Sequence, residues 1–195
     1  MDHQRMTERR RAGYEKKKAR ATREKGLLIV HTGPGKGKTT AAMGMVLRAV
    51  GHDMPVGVVQ FIKGAMDSAE RRVLSTFPQV RFHAIGDGFT WLTQDRERDM
   101  ATAREAWAVA REMVLDPDLA LVVLDELNVI LKYGYLDLDE VLATLAARPP
   151  MKHVVVTGRH APAELVEAAD LVSEIRPLKH PFKEQGVKAQ AGIEF

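Results

Sequence analysis

Eight consecutive residues, Thr32-Gly33-Pro34-Gly35-Lys36-Gly37-Lys38-Thr39, bring together three glycines, two lysines and a terminal hydroxyl, with Thr40 directly behind. They follow a short apolar run, Leu27–His31, and precede a stretch in which Ala41, Ala42, Met45, Val46 and Ala49 recur at helical spacing. Strand, glycine loop, helix is the setting required by the phosphate-loop template G-x-x-x-x-G-K-[ST]. Gly37-Lys38-Thr39 matches the end of that template. Thr32 occupies its first glycine place, and Gly33 comes one residue late. The physics still holds. Gly33, Gly35 and Gly37 permit positive φ and close backbone approach, so successive N–H groups can face phosphate oxygens. The helix from Lys38 turns its positive end to the same anion. Lys38 is expected to bridge phosphates, Lys36 to add a second cation, and the Thr39 hydroxyl to ligate Mg²⁺ or Mn²⁺. The same residues also fit a glycine-rich turn with incidental lysines. The flanking elements favour the triphosphate of a nucleotide, Mg·ATP, held by Thr32 to Thr40.

The second candidate is Leu121-Val122-Val123-Leu124-Asp125-Glu126, an apolar strand ending in two acids. Beside a phosphate loop, Asp125 is expected to hold the metal ion directly or through water, with Glu126 next to it preparing a water or joining the metal shell. Ligands bind at the carboxyl ends of parallel strands. The alternative is a polar strand exit that caps a helix.

These residues need a scaffold, and the chain reads as alternating strand and helix from Gly26. Strands are expected at Leu27–His31, Val56–Ile62, Val80–Ala84, Leu119–Leu124, Val154–Thr157 and Leu171–Ile175. Helices are expected at Lys38–Val50, Ser68–Phe77, from about Asp95 to Leu115, Leu136–Leu145 and Pro162–Ala168. The tail from Lys179 carries no clear signal. Continuous apolar strands separated by helices mean a mostly parallel sheet covered on both faces. The expected fold class is α/β, a three-layer P-loop NTPase fold of the RecA-like kind, in one domain over residues 26–195. Residues 1–25 stand apart as a basic arm, helical or disordered. Ten lysines and arginines against four acids give it a net +6, which leaves the remainder at −3 within the chain's +3. Such a run is a solvated tail, a nucleic-acid contact or an arm that orders over a ligand. There is no cysteine among the 195 residues, which excludes disulfides, Cys-bound zinc and thiol catalysis. No apolar run is long enough to span a bilayer, and no secretory leader is visible. A cytoplasmic enzyme without a membrane partner is expected.

Further segments narrow the reading. TGPGKGKTT (32–40), Arg48-Ala49-Val50-Gly51-His52, Gly57–Gly64 (GVVQFIKG), Gly88-Phe89-Thr90-Trp91, Val122–Leu127 (VVLDEL), Val155–Arg159 (VVTGR), Ser173–Lys179 (SEIRPLK) and Gly186–Ile193 (GVKAQAGI) occur in that order. Together they resemble the ATP:corrinoid adenosyltransferases of the BtuR/CobO/CobP type over nearly the whole chain. That family commonly has Asn where this chain has Pro34, so one backbone N–H is missing from the loop. The resemblance implies transfer of the 5′-deoxyadenosyl group of ATP to the Co(I) of a reduced corrinoid, cobalamin or cobyrinic acid a,c-diamide. Triphosphate is released, in adenosylcobalamin biosynthesis or salvage. It implies catalytic roles for Lys38, Phe89, Trp91 and Glu126. Phe89 and Trp91 would lie against the corrin face and help remove the lower axial ligand, with Arg98 and Arg159 as further corrinoid contacts. Read without the resemblance, the two aromatics are core anchors. It also implies a homodimer, a flavoprotein reductant, and an arm that folds over the corrinoid.

Gln60, Arg48, Lys63 and Lys188 are weaker polar candidates at element ends. The histidines, His31 included, have no metal-ligand spacing. Three other functions share the loop: an ATPase or motor using Glu126 with a nucleic-acid-binding arm, a nucleoside kinase, and a non-catalytic ATP-dependent regulator. The arm lacks the interleaved aromatics of a base-stacking surface, so nucleic acid is not an expected partner.

Overall fold

Six short strands pair edge to edge, all parallel: β1 (Leu28–Thr32), β2 (Val56–Gln60), β3 (Val80–Ala84), β4 (Leu121–Asp125), β5 (His153–Thr157) and β6 (Leu171–Glu174). The computed structural model describes residues 2–62, 68–85 and 95–194, apart from the side chains of residues 2–5 and 17. The sheet order is β3-β2-β4-β5-β1-β6. β5 is therefore inserted between the strand that feeds the glycine loop and the strand that ends in Asp125.

Helices cover both faces because the strands are apolar on both. α2 (Lys38–Val50) and α3 (Ala69–Leu74) pack on Ile29, Val56, Val58, Leu121, Val123 and Val155. On the other face, Val30, Val59, Val122, Leu124, Val154 and Val156 lie against α4 (Arg96–Leu115), α5 (Leu127–Lys132), α6 (Leu138–Ala146) and α7 (Ala163–Ala168). Each such side chain, fully buried, contributes about 1.5–3 kcal/mol. The three-layer, mostly parallel expectation holds, and the architecture is that of RecA-like P-loop NTPases.

Local chemistry sets the ends of the elements. α2 runs as its periodicity predicts, stopping at Gly51. Asp95 caps α4 by accepting from the Arg98 N–H, and Asp137 caps α6 by accepting from Asp139 and Glu140. The buried Lys152 donates to the carbonyls of Met113 and Asp116 at the C-terminal end of α4, the Met113 bond being 2.9 Å.

Several details differ from the sequence reading, including a shorter α3 (Ala69–Leu74 against Ser68–Phe77) and a β4 that begins at Leu121 rather than Leu119. β2 ends at Gln60 rather than Ile62, and the Phe61 N–H makes the last ladder bond to β4, donating to the Asp125 carbonyl at 3.1 Å. The short helix α5 follows Glu126 directly; it was anticipated only in the helix-cap alternative, and Glu126 stands at its N-cap without a capping side-chain bond. The tail holds a helix, α8 (Pro181–Gln185), with Pro181 in its first turn and Gly186 closing it at φ 65°. The arm contains helix α1 (Asp2–Lys18), exposed where its side chains are described.

Candidate active site

The carboxyl ends of four adjacent strands carry polar side chains on the face that α2 covers. Gln60 of β2 is in register with Asp125 of β4, and His31 of β1 with Thr157 of β5. β5 places Thr157 level with Asp125, since Leu124 pairs with Val156. Asp125 is fully buried and its charge is met by three donors. The Thr39 and Thr157 hydroxyls donate to Oδ1 at 2.9 and 2.7 Å, and the Gln60 amide to Oδ2 at 2.9 Å. The two sequence motifs, 86 residues apart, thus meet in one hydrogen bond.

The chain turns sharply after Asp125. Glu126 has φ 65°, in the left-handed region, and its N–H donates to the Thr157 hydroxyl at 2.9 Å. One threonine therefore ties down both acids. The neighbouring loop leaves room for them. A Cβ on Gly158 (φ 130°) would stand 2.9 Å from Asn128 Cβ and 3.3 Å from a Glu126 carboxylate oxygen. Asn128 closes this contact by donating to the Gly158 carbonyl at 3.0 Å.

Within the loop, Gly33 (φ 99°) and Gly37 (φ 108°) take backbone angles that side chains avoid. Gly35 differs from the expectation. It does not have positive φ; it is needed because a Cβ there would lie 2.7 Å from the Ile175 carbonyl. Its N–H donates to that same carbonyl at 2.7 Å. With Pro34 lacking an N–H and the Gly35 N–H engaged, the candidate anion donors are the amides at the end of the loop and in the first turn of α2. There the amides have no intrahelical acceptor. No acid sits in that turn and no side chain caps it, which leaves its positive end to an anion.

Lys38 is buried and donates to the carbonyls of Gly33 and Gly35 at 2.9 and 2.6 Å. Burial holds its ammonium below the ordinary lysine value, opposed by Glu126 and Asp125 and assisted by Arg159 and Lys36. Arg159 thus stands within electrostatic reach of Lys38. Lys36 pairs with Glu194 of the tail at 2.5 Å. The Thr32 hydroxyl accepts from the Ala161 N–H at 3.2 Å, joining the loop to the turn after β5. Pro34 and Thr40 are exposed.

His31 is buried beside this row with neither ring nitrogen hydrogen-bonded, and burial lowers its pKa from the ordinary 6.5. Arg98 is exposed in the first turn of α4. Phe89, Trp91 and Lys63 lie outside the described residues. The described chain reaches that segment at Ile85, whose N–H donates to the Gln60 carbonyl at 3.0 Å.

A hard divalent cation fits the donors present. Asp125 and Thr39 offer only oxygen, already within hydrogen-bond distance of each other, and Mg²⁺ is typically held by one or two carboxylates together with substrate phosphates. Sequence spacing missed Thr157, Gly158 and Glu194 and gave Gln60 only a weak place. Their roles arise across strands or from the tail, although VVTGR contains two of them. No helix of the described residues is long and apolar enough to cross a membrane.

A family model described as ATP:corrinoid adenosyltransferase BtuR/CobO/CobP matches residues 24–195. A corrinoid adenosyltransferase of Pseudomonas aeruginosa is 56% identical over 194 residues, covering 99% of this chain and 95% of the relative. One of Escherichia coli K12 is 48% identical over the whole of both chains. The corrinoid adenosyltransferase CobA of Salmonella typhimurium is 50% identical over 91% of this chain and 89% of its own. Among solved structures, the flagellar accessory protein FlaH of Methanocaldococcus jannaschii is similar at a TM-score of 0.50 and 12% identity. The match covers 77% of this chain and 71% of that one, a likeness of fold alone.

Proposed function

We propose a reaction from one premise: this chain belongs to the BtuR/CobO/CobP family of ATP:corrinoid adenosyltransferases and is an enzyme of that kind, acting on ATP and a corrinoid. The reaction is transfer of the 5′-deoxyadenosyl group. Co(I) of the reduced corrinoid supplies an electron pair to the ribose C5′. A cobalt–carbon bond forms, the C5′–O bond breaks, and its electron pair leaves on triphosphate. Cobalt rises formally from Co(I) to Co(III). Cobalamin and cobyrinic acid a,c-diamide are the proposed acceptors, in adenosylcobalamin salvage or biosynthesis.

The observation that carries this reading is the hydrogen bond from Thr39 to the buried Asp125, beside Lys38. It joins the loop and the acidic strand end into one cradle at the N-terminus of α2, suited, together with a divalent cation, to a polyanionic leaving group. The cobalt is itself the nucleophile, so the protein's tasks are charge stabilisation, orientation and exclusion of water. Lys38 exchanges its two carbonyl partners for phosphate oxygens. Amides of Gly37, Lys38 and Thr39 and the ammonium of Lys36 take further oxygens, with Thr32 to Thr40 lining the triphosphate. Thr39 and Asp125, with Glu126 alongside, would hold Mg²⁺ or Mn²⁺, which supplies charge neutralisation to the leaving group when bound. Glu126 serves in that shell rather than as a base for water. Arg159 adds a cation on the phosphate side. Phe89, Trp91 and Arg98 are proposed for the corrin side, where an apolar face disfavours a lower axial ligand and eases reduction of Co(II).

The arm, residues 1–25, is proposed as a separate cover that folds over the corrinoid, attached to a catalytic domain of residues 26–195. A homodimer and a flavoprotein electron donor complete the proposal.

ATP labelled at C5′ tests it. With chemically reduced corrinoid, the label is expected in a light-sensitive corrinoid product. Label confined to ADP, at a rate independent of corrinoid, would mean hydrolysis or phosphoryl transfer and would end the reading.

A further inference from the structure

The two loop lysines are engaged differently. Lys38 is buried against two carbonyls, which are neutral partners. Lys36 is half exposed and holds a full negative charge, Glu194 Oε2 at 2.5 Å. Glu194 comes from 158 residues away in sequence. A turn of its own presents it: the N–H groups of Ile193 and Glu194 both donate to the Gln190 carbonyl, and Gly192 takes φ 78°. Its side chain is only 20% exposed, against 53% for Lys36. With no acid in the first turn of α2, this carboxylate enters from outside the loop.

We propose that Glu194 is an internal competitor for the triphosphate, a positioning residue that acts through Lys36 and speeds departure of the product. This rests on the reading that the loop holds the triphosphate of ATP. A polyanion drawn to Lys36 repels the Glu194 carboxylate, so the pair opens and the tail lets go when triphosphate binds. After transfer, the same carboxylate returns at the high effective concentration of a tethered group. It regains the ammonium as the phosphate chain loosens. Triphosphate is the most highly charged species in the cycle, and a loop built to stabilise it as a leaving group would otherwise release it slowly.

The test uses the full-length chain, with inorganic triphosphate and Mg²⁺ as the probe. Binding to wild type, Glu194→Gln and Lys36→Gln is measured by calorimetry, and dissociation by stopped flow. Glu194→Gln is expected to bind triphosphate about two- to five-fold more tightly, the range open to a partly exposed ion pair. The gain should lie in slower dissociation, and it should vanish when Lys36→Gln is also present. Amide exchange in residues 186–194 of the wild type should speed up on adding triphosphate, a readout that needs no variant. Unchanged or weaker binding by Glu194→Gln, or a gain that survives Lys36→Gln, overturns the competitor role and leaves the phosphate loop standing. So does unchanged exchange in the tail. A wild-type chain that does not bind triphosphate at all overturns both.

Discussion

Asp125 receives three hydrogen bonds in a position with no exposure, so its neighbours matter as much as its charge. Thr157 donates to it and accepts from the Glu126 N–H. Thr157→Val keeps the shape and removes both bonds. It should cost about 1–3 kcal/mol of stability, the penalty for leaving buried polar groups unsatisfied, and should lower kcat. Thr157→Ser should restore most of both, as read by chemical denaturation and turnover. His31 allows a pH prediction. Its pKa is depressed by burial, so the unfolded chain binds the proton first as pH falls below about 6.5. Stability is fully present above that value and declines toward the lower folded pKa. His31→Leu should remove that acid-side loss while leaving stability at pH 8 equal or higher, because it deletes two unpartnered ring nitrogens. Melting temperatures across pH 4.5–8 check this. Lys38 and Thr39 were legible because a loop template fixes their spacing along the chain, and Asp125 because it ends an apolar strand. Thr157 was not, because its partnership with Asp125 spans 32 residues and exists only once β4 and β5 are in register.

The elements were legible where one rule governs both ends. α2 begins after Gly37 and stops at Gly51, as loop chemistry and periodicity require. α5 entered only through the helix-cap alternative, because six residues, Leu127–Lys132, are too few to display a helical period. It starts only because Glu126 turns through the left-handed region. Gly35 taught a different lesson. Three glycines in a loop look alike in sequence, yet Gly37 answers to backbone angle, Gly35 to the Ile175 carbonyl, and Gly33 to both. Gly35→Ala would set its Cβ 2.7 Å from that oxygen, so the loop must separate from the end of β6. ATP binding should weaken roughly ten-fold or more, about 1.4 kcal/mol, with the far-UV spectrum unchanged. Titration of nucleotide binding reads it directly.

At the scale of the molecule, charge is divided between a basic arm and a slightly acidic remainder. The described side chains of α1 are exposed, so the helix adds little to the core. Removing residues 1–23 should leave the melting temperature within about 2 °C, since surface changes away from packed features are small. Turnover of the corrinoid should fall while ATP binding persists. Equal turnover by the shortened chain would separate the arm from catalysis. The sheet order was not written in the sequence, which specifies strands but not neighbours. Insertion of β5 between β1 and β4 is what brings Thr157 and Gly158 between the loop and the acids. The loop read first as a triphosphate site is proposed to hold a leaving group whole. The most direct measurement is therefore the phosphate product of ATP cleavage, resolved by ³¹P NMR in the presence of reduced corrinoid. Intact triphosphate, formed one for one with alkylated corrinoid, is the predicted result. ADP with orthophosphate, formed whether or not corrinoid is present, would contradict it.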